Sequence, residues 1–503
     1  MLDCSAAGLW GQVDRSYTHG MGIWQQWPLF WGSSALMVGM ALGTWLGSPF
    51  LPMVLWCTLG LAGVGGVASV WYRSATGLIV VGLLVLVGSA WALLYGYFGP
   101  QPLASSVELT ARRAVIVSPA EPVGQGWRAY LDLELPTGIS RVRATWPNFD
   151  SEWQYGQVVT VSGQVIPPRS DHTVAERGFL LAHGASGSAQ LSQVVDRHQV
   201  AGAPILRLLY QWQRWLVERL NQQLHYPYNL VMSGILLGYR SGLPSELEDA
   251  FRRTGTSHIL VASGSNVVIL AATVGVLLSS LGWRRRTLLL TIILLGFIVI
   301  TGADASVIRA SIFYELTILA RLSGRRIHPP TLVSVVGLLM TLTNPWILLY
   351  DIAFQLSFAA ILGLLVFEDL FQVSLPAWIA PKVLAPTLSA QLGTLPVLIY
   401  HFGQVSLIAP LVNALVVPMV EAVMLGGLAT ILFPWIRIIP WIANGVTGLL
   451  VWIVTTSAAL PSAAVTLSAQ RGWWSGGAVL IVVSLALLRS RLNRTWKEID
   501  ATH

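Results

Sequence analysis

The sequence predicts a polytopic α-helical membrane protein with a small β-barrel domain inserted on the extracytoplasmic side. Three observations lead to this fold class. The 503 residues are 54% hydrophobic and only 11% charged, which is outside the usual range of soluble domains. Apolar runs long enough to cross a bilayer as helices occupy both ends of the chain. Between them, about one hundred residues contain only short apolar segments of the kind that form strands.

Residues 1–98 are predicted to form N-terminal transmembrane helices, from the apolar runs Pro28 to Leu46, Leu51 to Tyr72 and Ala75 to Phe98. Residues 1–27 do not combine a basic segment with a cleavable apolar stretch, so we predict no signal peptide.

Residues 99–202 are predicted to form the inserted domain, a small barrel of the OB type. Apolar and polar residues alternate in several segments, as half-buried antiparallel strands require. The predicted strands are Val107 to Val117, Trp127 to Leu135, Ile139 to Thr145, Gln157 to Val165 and Ser188 to Val195. Residues 105–200 hold eight Arg, no Lys and nine Asp plus Glu, a formal charge of −1. If this domain binds nucleic acid, it would therefore have to use a positively charged patch on part of its surface.

Residues 203–227 are predicted to form an amphipathic helix, because apolar residues recur at helical spacing with arginines elsewhere on the wheel. Two tryptophans, Trp212 and Trp215, lie on the apolar face. The helix could therefore lie in the membrane interface or pack against the barrel.

Residues 228–490 are predicted to form a second set of transmembrane helices, followed by a basic cytoplasmic tail at 491–503. The basic clusters at 283–286 and 321–326 are expected to be cytoplasmic. This orientation puts the barrel outside the cytoplasm. It also requires residues 229–258 to begin and end on the outer side of the membrane. They would then dip into the membrane without crossing it.

The most unusual stretch, residues 234–267, reads GILLGYRSGLPSELEDAFRRTGTSHILVASGSNV. Ionisable groups at membrane depth cost roughly 2.5 to 3.5 kcal/mol each, so they are expected in a bundle interior or a water-filled cavity. We interpret the stretch as the mouth of a pore. Ser245 and Glu248 have the spacing of a capping box, which predicts a short helix here. The residues predicted to line the path are Arg240, Asp249, Arg252, Arg253, Ser257, His258, Ser263, Ser265 and Asn266, with Asp304, Arg309 and Gln355 on later segments.

Simpler interpretations of these residues remain open. The charges near 250 would also suit a solvated helix with ordinary ion pairs, and Gln355 would suit hydrogen bonding between helices. A histidine beside serines, His258 with Ser257 or Ser263, is a weak signal for catalysis. The sequence contains no metal-spaced histidine pair and no phosphate-binding loop ending in Gly-Lys-Ser/Thr. We therefore predict no catalytic residue, no metal and no cofactor.

Four motifs in order resemble the ComEC family of DNA-internalisation competence proteins. They are LLGYRSGLPSELEDAFRRTGTSHILVASGSNV, TGADASVIRA, DIAFQLSFAAILGLL and the segment from Gln391 to Pro418. The segment YGQVVTVSGQV also resembles part of the family's N-terminal OB-like domain. The resemblance implies a multi-pass protein of the bacterial cytoplasmic membrane, in contact with membrane lipids, that passes single-stranded DNA during natural transformation. It also implies a DNA-receptor protein and a cytoplasmic helicase-like ATPase as partners.

The sequence departs from the family pattern at several points. Asn266 stands where the family commonly has His, and Ala305 stands where it has Pro. The sequence also lacks the His-x-His-x-Asp-His cluster of the metallo-β-lactamase-like domain that many members carry. We therefore expect a channel without its own nuclease. A pore within one chain and a pore between two copies, a homodimer, both remain open.

Single-stranded DNA is a polyanion with stackable bases, so its path needs positive charge and small polar or aromatic surfaces. In this hypothesis Arg240, Arg252, Arg253 and the deeper Arg309 contact phosphates, and the small polar residues line the constriction. Two other hypotheses remain. One is a polytopic transporter of small solutes or lipid intermediates, and the other is an intramembrane hydrolase that uses Ser263 and His258.

Overall fold

The computed structural model describes residues 28–46, 76–467 and Gly477, apart from short gaps at 104, 124–125, 136–137, 148–152, 169–172, 240–241, 326, 377–380 and 462. The predictions for 1–27, for the run 51–72, for Arg240, for the run 473–488 and for the tail 491–503 lie outside the described residues. The chain forms two compact units. The barrel unit contains Met1–Gln211, Ala271–Gly302 and Ile308–Asp351, and the motif unit contains Trp212–Leu270, Ala303–Val307 and Ile352–His503.

The barrel unit contains the inserted β-domain, which is a closed five-stranded barrel as predicted. Its strands are β1 (Val107–Ile116), β3 (Gly126–Leu135), β4 (Gly138–Pro147), β5 (Gln157–Ile166) and β6 (Gly187–Val200), with a short β2 (Glu121–Val123) on the edge of β3. The order β1-β5-β6-β4-β3 closes through pairing of β3 with β1, and only β4 and β6 are parallel. This is the Greek-key topology of the OB fold.

Alternating residues of these strands fill the barrel interior, which explains why the period of two in the sequence predicted the strands. Leu131, Leu133, Val142 and Ala144 are completely buried, while their neighbours along β3 and β4 face outward. Trp146 packs edge-on against Trp153, with ring centroids 5.9 Å apart. The core therefore consists of one contiguous apolar cluster inside the barrel.

A helix that the sequence analysis did not predict, α3 (Thr173–Ala182), lies between β5 and β6. It is only ten residues long. Its shortness and the polar, proline-containing segment before it make it resemble a loop in the sequence.

The remaining helices of the barrel unit are mostly apolar, and one of them begins in the motif unit. They are α1 (Pro28–Leu46), α2 (Thr76–Phe98), α8 (Trp283–Ile300), α9 (Ala305–Leu322, from Ile308 onward), α10 (Pro329–Thr343) and α11 (Ile347–Tyr350). Glycines bring α1 and α2 together, since a Cβ on Gly39 would lie 1.9 Å from the Val85 carbonyl oxygen. A Cβ on Gly88 would likewise lie 2.1 Å from the Leu36 carbonyl oxygen.

The motif unit contains short helices followed by long ones. The short elements are α5 (Tyr228–Leu237), α6 (Ser245–Arg253), the 3₁₀ turn Ser257–Leu260 and the first half of α7 (Gly264–Leu277). The long helices are α12 (Ile352–Ser374), α13 (Pro381–Phe402), α14 (Ala409–Leu432) and α15 (Ile438–Ala458), and β7 (Gln404–Ser406) pairs with β8 (Ala464–Thr466). Helix α13 continues through Pro386 and Pro396, and α14 continues through Pro418.

Among the described residues, three helices are long and apolar enough to cross a membrane. They are α12, α14 and α15, with 23, 24 and 21 residues. Together with the barrel they show the predicted class, a helical membrane protein with a barrel domain. Helices α5 and α6 have ten and nine residues, about 15 Å or less in length, whereas a span needs about 20 residues. Each is too short to cross by itself, and the dipping of residues 229–258 into the membrane stays a prediction.

The amphipathic helix forms as α4 (Pro204–Gln223). Its apolar stripe of Ile205, Leu208, Trp212 and Trp215 is exposed. At its N-terminal end, Tyr210 contacts Tyr155 of the barrel domain with ring centroids 5.2 Å apart. The helix therefore touches the barrel but leaves its tryptophan face uncovered by the described residues, and its location in the membrane interface remains a prediction.

Two apolar runs are interrupted in the structure. The run 259–281 is a 3₁₀ turn, an extended Val261 and then a helix that begins at Gly264. The run 346–367 is broken at Asp351, where the backbone is extended between α11 and α12. Hydrophobicity marks the second break by the single Asp351, but it gives no sign of the change from a 3₁₀ turn to an extended Val261 in the first.

Candidate functional site

The charged helix α6 places its apolar residues inward and its charges outward. Leu247 and Phe251 are buried, while Asp249, Arg252 and Arg253 are exposed. A guanidinium nitrogen of Arg252 makes a close ion pair with the Asp249 carboxylate one turn earlier. Among the described residues, no carboxylate makes such a pair with Arg253. The exposed Arg252 is therefore paired with a carboxylate, and the exposed Arg253 is not paired with one from the described residues.

The start of α6 differs from the capping-box prediction. Pro244 is the N-cap and Ser245 is the first helical residue, without a side-chain capping hydrogen bond. The prediction of a short helix was correct, but Ser245 does not cap it. Proline at the preceding position fixes φ near the value seen here, −58°, and offers no side-chain acceptor.

The end of α6 is fixed by a Schellman motif around Gly255, which has φ +70°. The Thr256 N–H donates to the Phe251 carbonyl at 2.9 Å, and the Gly255 N–H donates to the Arg252 carbonyl at 3.1 Å. The hydroxyls of Thr254 and Thr256, both buried, lie 2.7 Å apart. A side chain at position 255 would also be too close to α14, because its Cβ would lie 2.7 Å from that of Ala409. The TGTSH motif thus requires glycine here for two reasons.

Asn266 lies at the centre of a hydrogen-bond network. The residue is 1% exposed, and its Nδ2 donates to the Ile235 carbonyl oxygen at 2.5 Å. Its Oδ1 accepts a hydrogen bond from the Ser263 hydroxyl at 3.0 Å, and the hydroxyls of Ser263 and Ser265 lie 2.7 Å apart. Asn266 therefore joins the VASGSN segment to helix α5. The Ser263 hydroxyl is bonded to Ser265 and Asn266 rather than to His258.

A second hydrogen bond joins two of the sequence motifs. The Ser306 hydroxyl, in TGADASVIRA, donates to the Ala262 carbonyl oxygen at 3.0 Å. Position 262 lies in the extended segment just before α7, where a carbonyl is free of helical bonding. Asp304, two residues before Ser306, is partly buried. The ASGSN part of the first motif and the GADAS part of the second thus meet at the start of two helices.

A further contact joins α12 and α13. The Oε1 atom of Gln355, in DIAFQLSF, lies 2.8 Å from Nε2 of His401, and both side chains are partly buried. The two helices also approach closely at Gly363 and Gly393, where a Cβ on Gly393 would lie 2.8 Å from the Cα of Gly363. Gln355 therefore serves interhelical hydrogen bonding in this structure, one of the two interpretations left open by the sequence.

The predicted site residues thus fall into distinct environments. Exposed residues are Asp249, Arg252, Arg253, Ser257, His258 and Ser265; partly buried ones are Ser263, Asp304 and Gln355; buried ones are Asn266 and Arg309. All of these belong to the motif unit except Arg309, which belongs to the barrel unit. Ser306 and His401 were not among the predicted site residues, although they lie in the segments TGADASVIRA and Gln391 to Pro418. Within the described part of the chain, no group of three or more His, Cys, Asp and Glu could hold a metal ion.

The barrel offers a second candidate surface, the outer face of β3 and β4. Here the Arg143 guanidinium lies over the Phe179 ring, 5.3 Å from its centroid, and Tyr130 is stacked on His183 at 6.3 Å. Burial raises the pKa of the Tyr130 hydroxyl. Phe179 and His183 belong to α3 and the residue after it. The face that barrels of this topology use for oligonucleotides is therefore partly covered by α3.

Helix α3 is in turn fixed to the end of α10. Asn344 is buried, and its Nδ2 donates to the carbonyl oxygens of Leu181 and Ala182, each at 3.0 Å. Gly178 lies so close to the Tyr350 ring that a Cβ there would be 2.2 Å from it. The barrel is thus joined to the apolar helices of its own unit through the carbonyls at the C-terminus of α3.

Comparison with known proteins gives a family but no solved fold. The family model described as "Competence protein" matches residues 235–492, which is more than half of the chain. No solved structure matches. The matched range contains the four motifs that form the contacts of the motif unit.

Two curated relatives are similar to part of the chain. ComE operon protein 3 of Bacillus subtilis (strain 168) is 31% identical over 199 residues, which is 39% of this chain and 25% of the relative. The uncharacterized protein YcaI of Escherichia coli (strain K12) is 28% identical over 211 residues, 39% of this chain and 28% of the relative. Each match thus spans only about a quarter of the relative's length. On the family match and the ordered motifs, the chain belongs to the ComEC family of competence proteins.

Proposed function

We propose that this protein conducts single-stranded DNA across the bacterial cytoplasmic membrane during natural transformation. The observation that supports this most is the surface of α6 and the turn after it. There the exposed Arg252, Arg253, Ser257 and His258 lie within seven positions of sequence, next to the family's own motifs. Guanidinium groups suit phosphates, and small polar side chains permit a flexible strand to pass.

The hydrogen-bond networks beside this surface support the same role by holding it in place. The Schellman motif at Gly255 and the Asn266 hydrogen bond fix both ends of the segment 254–266. A segment that is already rigid loses less conformational entropy when a ligand binds, and binding is therefore tighter. In this proposal the barrel lies on the extracytoplasmic side and the DNA enters at α6.

The proposed role is transport rather than catalysis. The Ser263 hydroxyl is hydrogen-bonded to Ser265 and Asn266, so it does not form the nucleophile–base pair that a hydrolase needs. Movement of the strand is assigned to a cytoplasmic helicase-like ATPase, and delivery of DNA to a receptor protein outside.

The test is uptake of labelled DNA into a nuclease-protected form by a transformable host whose own channel gene is replaced by this one. The double variant Arg252→Glu, Arg253→Glu is expected to lower uptake at least tenfold, with unchanged protein level in the membrane. The matched control is Glu246→Gln, Glu248→Gln, which alters two exposed charges of the same helix and is expected to leave uptake intact. Normal uptake by the arginine variant at normal membrane level would reject the proposal.

A further inference from the structure

Two oxygen atoms in helix α9 are buried without a hydrogen-bond partner among the described residues. One is the hydroxyl of Ser311, a residue that is only 3% exposed, and the other is Oε1 of Glu315. The second carboxylate oxygen of Glu315, Oε2, accepts a hydrogen bond from the Thr291 hydroxyl of α8 at 3.0 Å. A buried polar group without a partner in a native fold calls for an explanation, such as an ion or a water molecule.

These oxygens belong to one place in the barrel unit. Ser311 and Glu315 are four positions apart on α9, so they lie on the same face of the helix one turn apart. Thr291 contacts that face from α8 through its hydrogen bond to the carboxylate. The polar cluster of Thr291, Ser311 and Glu315 thus comprises one hydrogen-bonded pair between two helices and one hydroxyl a helical turn before the carboxylate.

The neighbours of Thr291 along α8 are apolar. Leu290 and Leu294 of α8 are buried on either side of Thr291, and Leu288, Ile292 and Leu295 are apolar and exposed on the outer side of the same helix. In the described part of the chain, no Lys, Arg or His forms a salt bridge with Glu315. A carboxylate in apolar surroundings is costly unless a positive charge or several hydrogen bonds compensate it.

The charge and chemistry of the cluster select the class of ligand. Carboxylate and hydroxyl oxygens are the ligands that hard cations prefer. One carboxylate balances a single positive charge, and among the described residues Glu315 belongs to no group of three or more His, Cys, Asp and Glu that could hold a metal ion. A divalent ion would leave excess charge in an apolar environment, whereas a monovalent cation would satisfy both orphaned oxygens and neutralise the carboxylate.

We propose that Thr291, Ser311 and Glu315 form a binding site for a monovalent cation, Na⁺. The site lies in the barrel unit and does not depend on whether DNA is the transported molecule. The stability of helices α8 and α9 would then depend on Na⁺. Ionisable residues within apolar helices often mark sites for ions.

The test is thermal unfolding of the full-length protein in detergent, with Na⁺ replaced stepwise by K⁺ or N-methylglucamine at constant ionic strength. A ligand that binds the folded state raises Tm with its concentration, so Tm is expected to rise with Na⁺ and to stay flat with N-methylglucamine. Glu315→Gln should abolish the rise. Thr291→Val and Ser311→Ala, which keep the carboxylate, should shift the rise to higher Na⁺ concentration.

The matched control is Thr341→Val in α10. Thr341 is fully buried in the same unit, but its hydroxyl donates to the Gly337 carbonyl of its own helix at 2.9 Å. This variant should keep the wild-type dependence on Na⁺ even where its Tm is lower. Equal Tm of the wild type in all three cations would overturn the proposal and leave a carboxyl group that holds only a proton or water. An Na⁺ dependence that survives in Glu315→Gln would overturn it as well.

Discussion

The side-chain amide of Asn266 donates to the carbonyl oxygen of Ile235 at 2.5 Å, and this bond joins two segments that a loop and a short helix separate in the sequence. The Ile235 carbonyl belongs to the last turn of α5, where carbonyls lack partners within the helix. One side chain therefore satisfies a helix end and fixes the start of α7.

Replacing Asn266 should destabilise the protein because a buried carbonyl would lose its donor. Asn266→Asp keeps the shape but cannot donate, so it should lower the free energy of unfolding by about 1 to 3 kcal/mol. Thermal unfolding in detergent measures this loss. Ser257→Ala, a change at an exposed residue outside this network, is the control and should have a much smaller effect. A melting temperature of Asn266→Asp equal to that of the wild type would contradict the role of this bond.

The close approach of α12 and α13 should not tolerate a side chain at Gly393. A Cβ at this position would lie 2.3 Å from the Ala359 carbonyl oxygen, and backbone atoms cannot move away cheaply. Gly393→Ala is expected to reduce the yield of monodisperse protein and its melting temperature. The control is Gly445→Ala in α15, where a Cβ would have no neighbour within 4 Å, and this variant should be as stable as the wild type or more so. Equal loss in both variants would show that helix contact is not the cause.

The attachment of α3 to α10 should depend on the two hydrogen bonds from Asn344. Asn344→Asp removes both donors to Leu181 and Ala182 while keeping the volume. We expect faster tryptic cleavage after the exposed Arg177 in α3, because local opening governs proteolysis of folded regions. Limited digestion followed by mass spectrometry gives the rate at this site. Gln190→Ala, at an exposed position of β6, should leave the rate unchanged, and an unchanged rate in Asn344→Asp would disprove the attachment.

The two arginines of α6 should contribute unequally to DNA uptake. Asp249 already neutralises Arg252, so Arg253 should make the larger contribution to phosphate binding. Arg253→Glu alone is expected to reduce uptake more than Arg252→Glu does. Asp249→Asn, which frees Arg252, should raise uptake in the Arg253→Glu background. Uptake assays at two salt concentrations provide the check, since phosphate contacts weaken with salt. Equal effects of both single variants would contradict this difference.

Most of the barrel could be predicted from the sequence. In each strand one side faces a dry interior, so apolar residues recur with period two and predicted the strands Val107–Ile116 and Gln157–Ile166 almost to the residue. Helix α3 could not be predicted in this way. Its position depends on the rings and carbonyls that it meets, including Tyr130 and Asn344, which are distant in sequence.

The candidate site was only partly predictable for the same reason. The charges of 249–253 marked α6 as exceptional because ionisable residues between apolar runs are costly. The sequence could not show that Arg252 is paired with Asp249, or that Gln355 meets His401. The first depends on the side-chain conformations of two exposed residues on one helix, and the second on the packing of α12 against α13.

The sequence by itself determined the membrane class, the barrel and the order of the family motifs, because hydrophobicity, strand alternation and motif residues are local properties. Only the tertiary structure decided that Asn266 is buried against Ile235, that Ser263 is bonded to its neighbours rather than to His258, and that Thr291 meets Glu315. Each of these contacts depends on which acceptor oxygen the folded chain brings within about 3 Å of a donor, the range of a hydrogen bond.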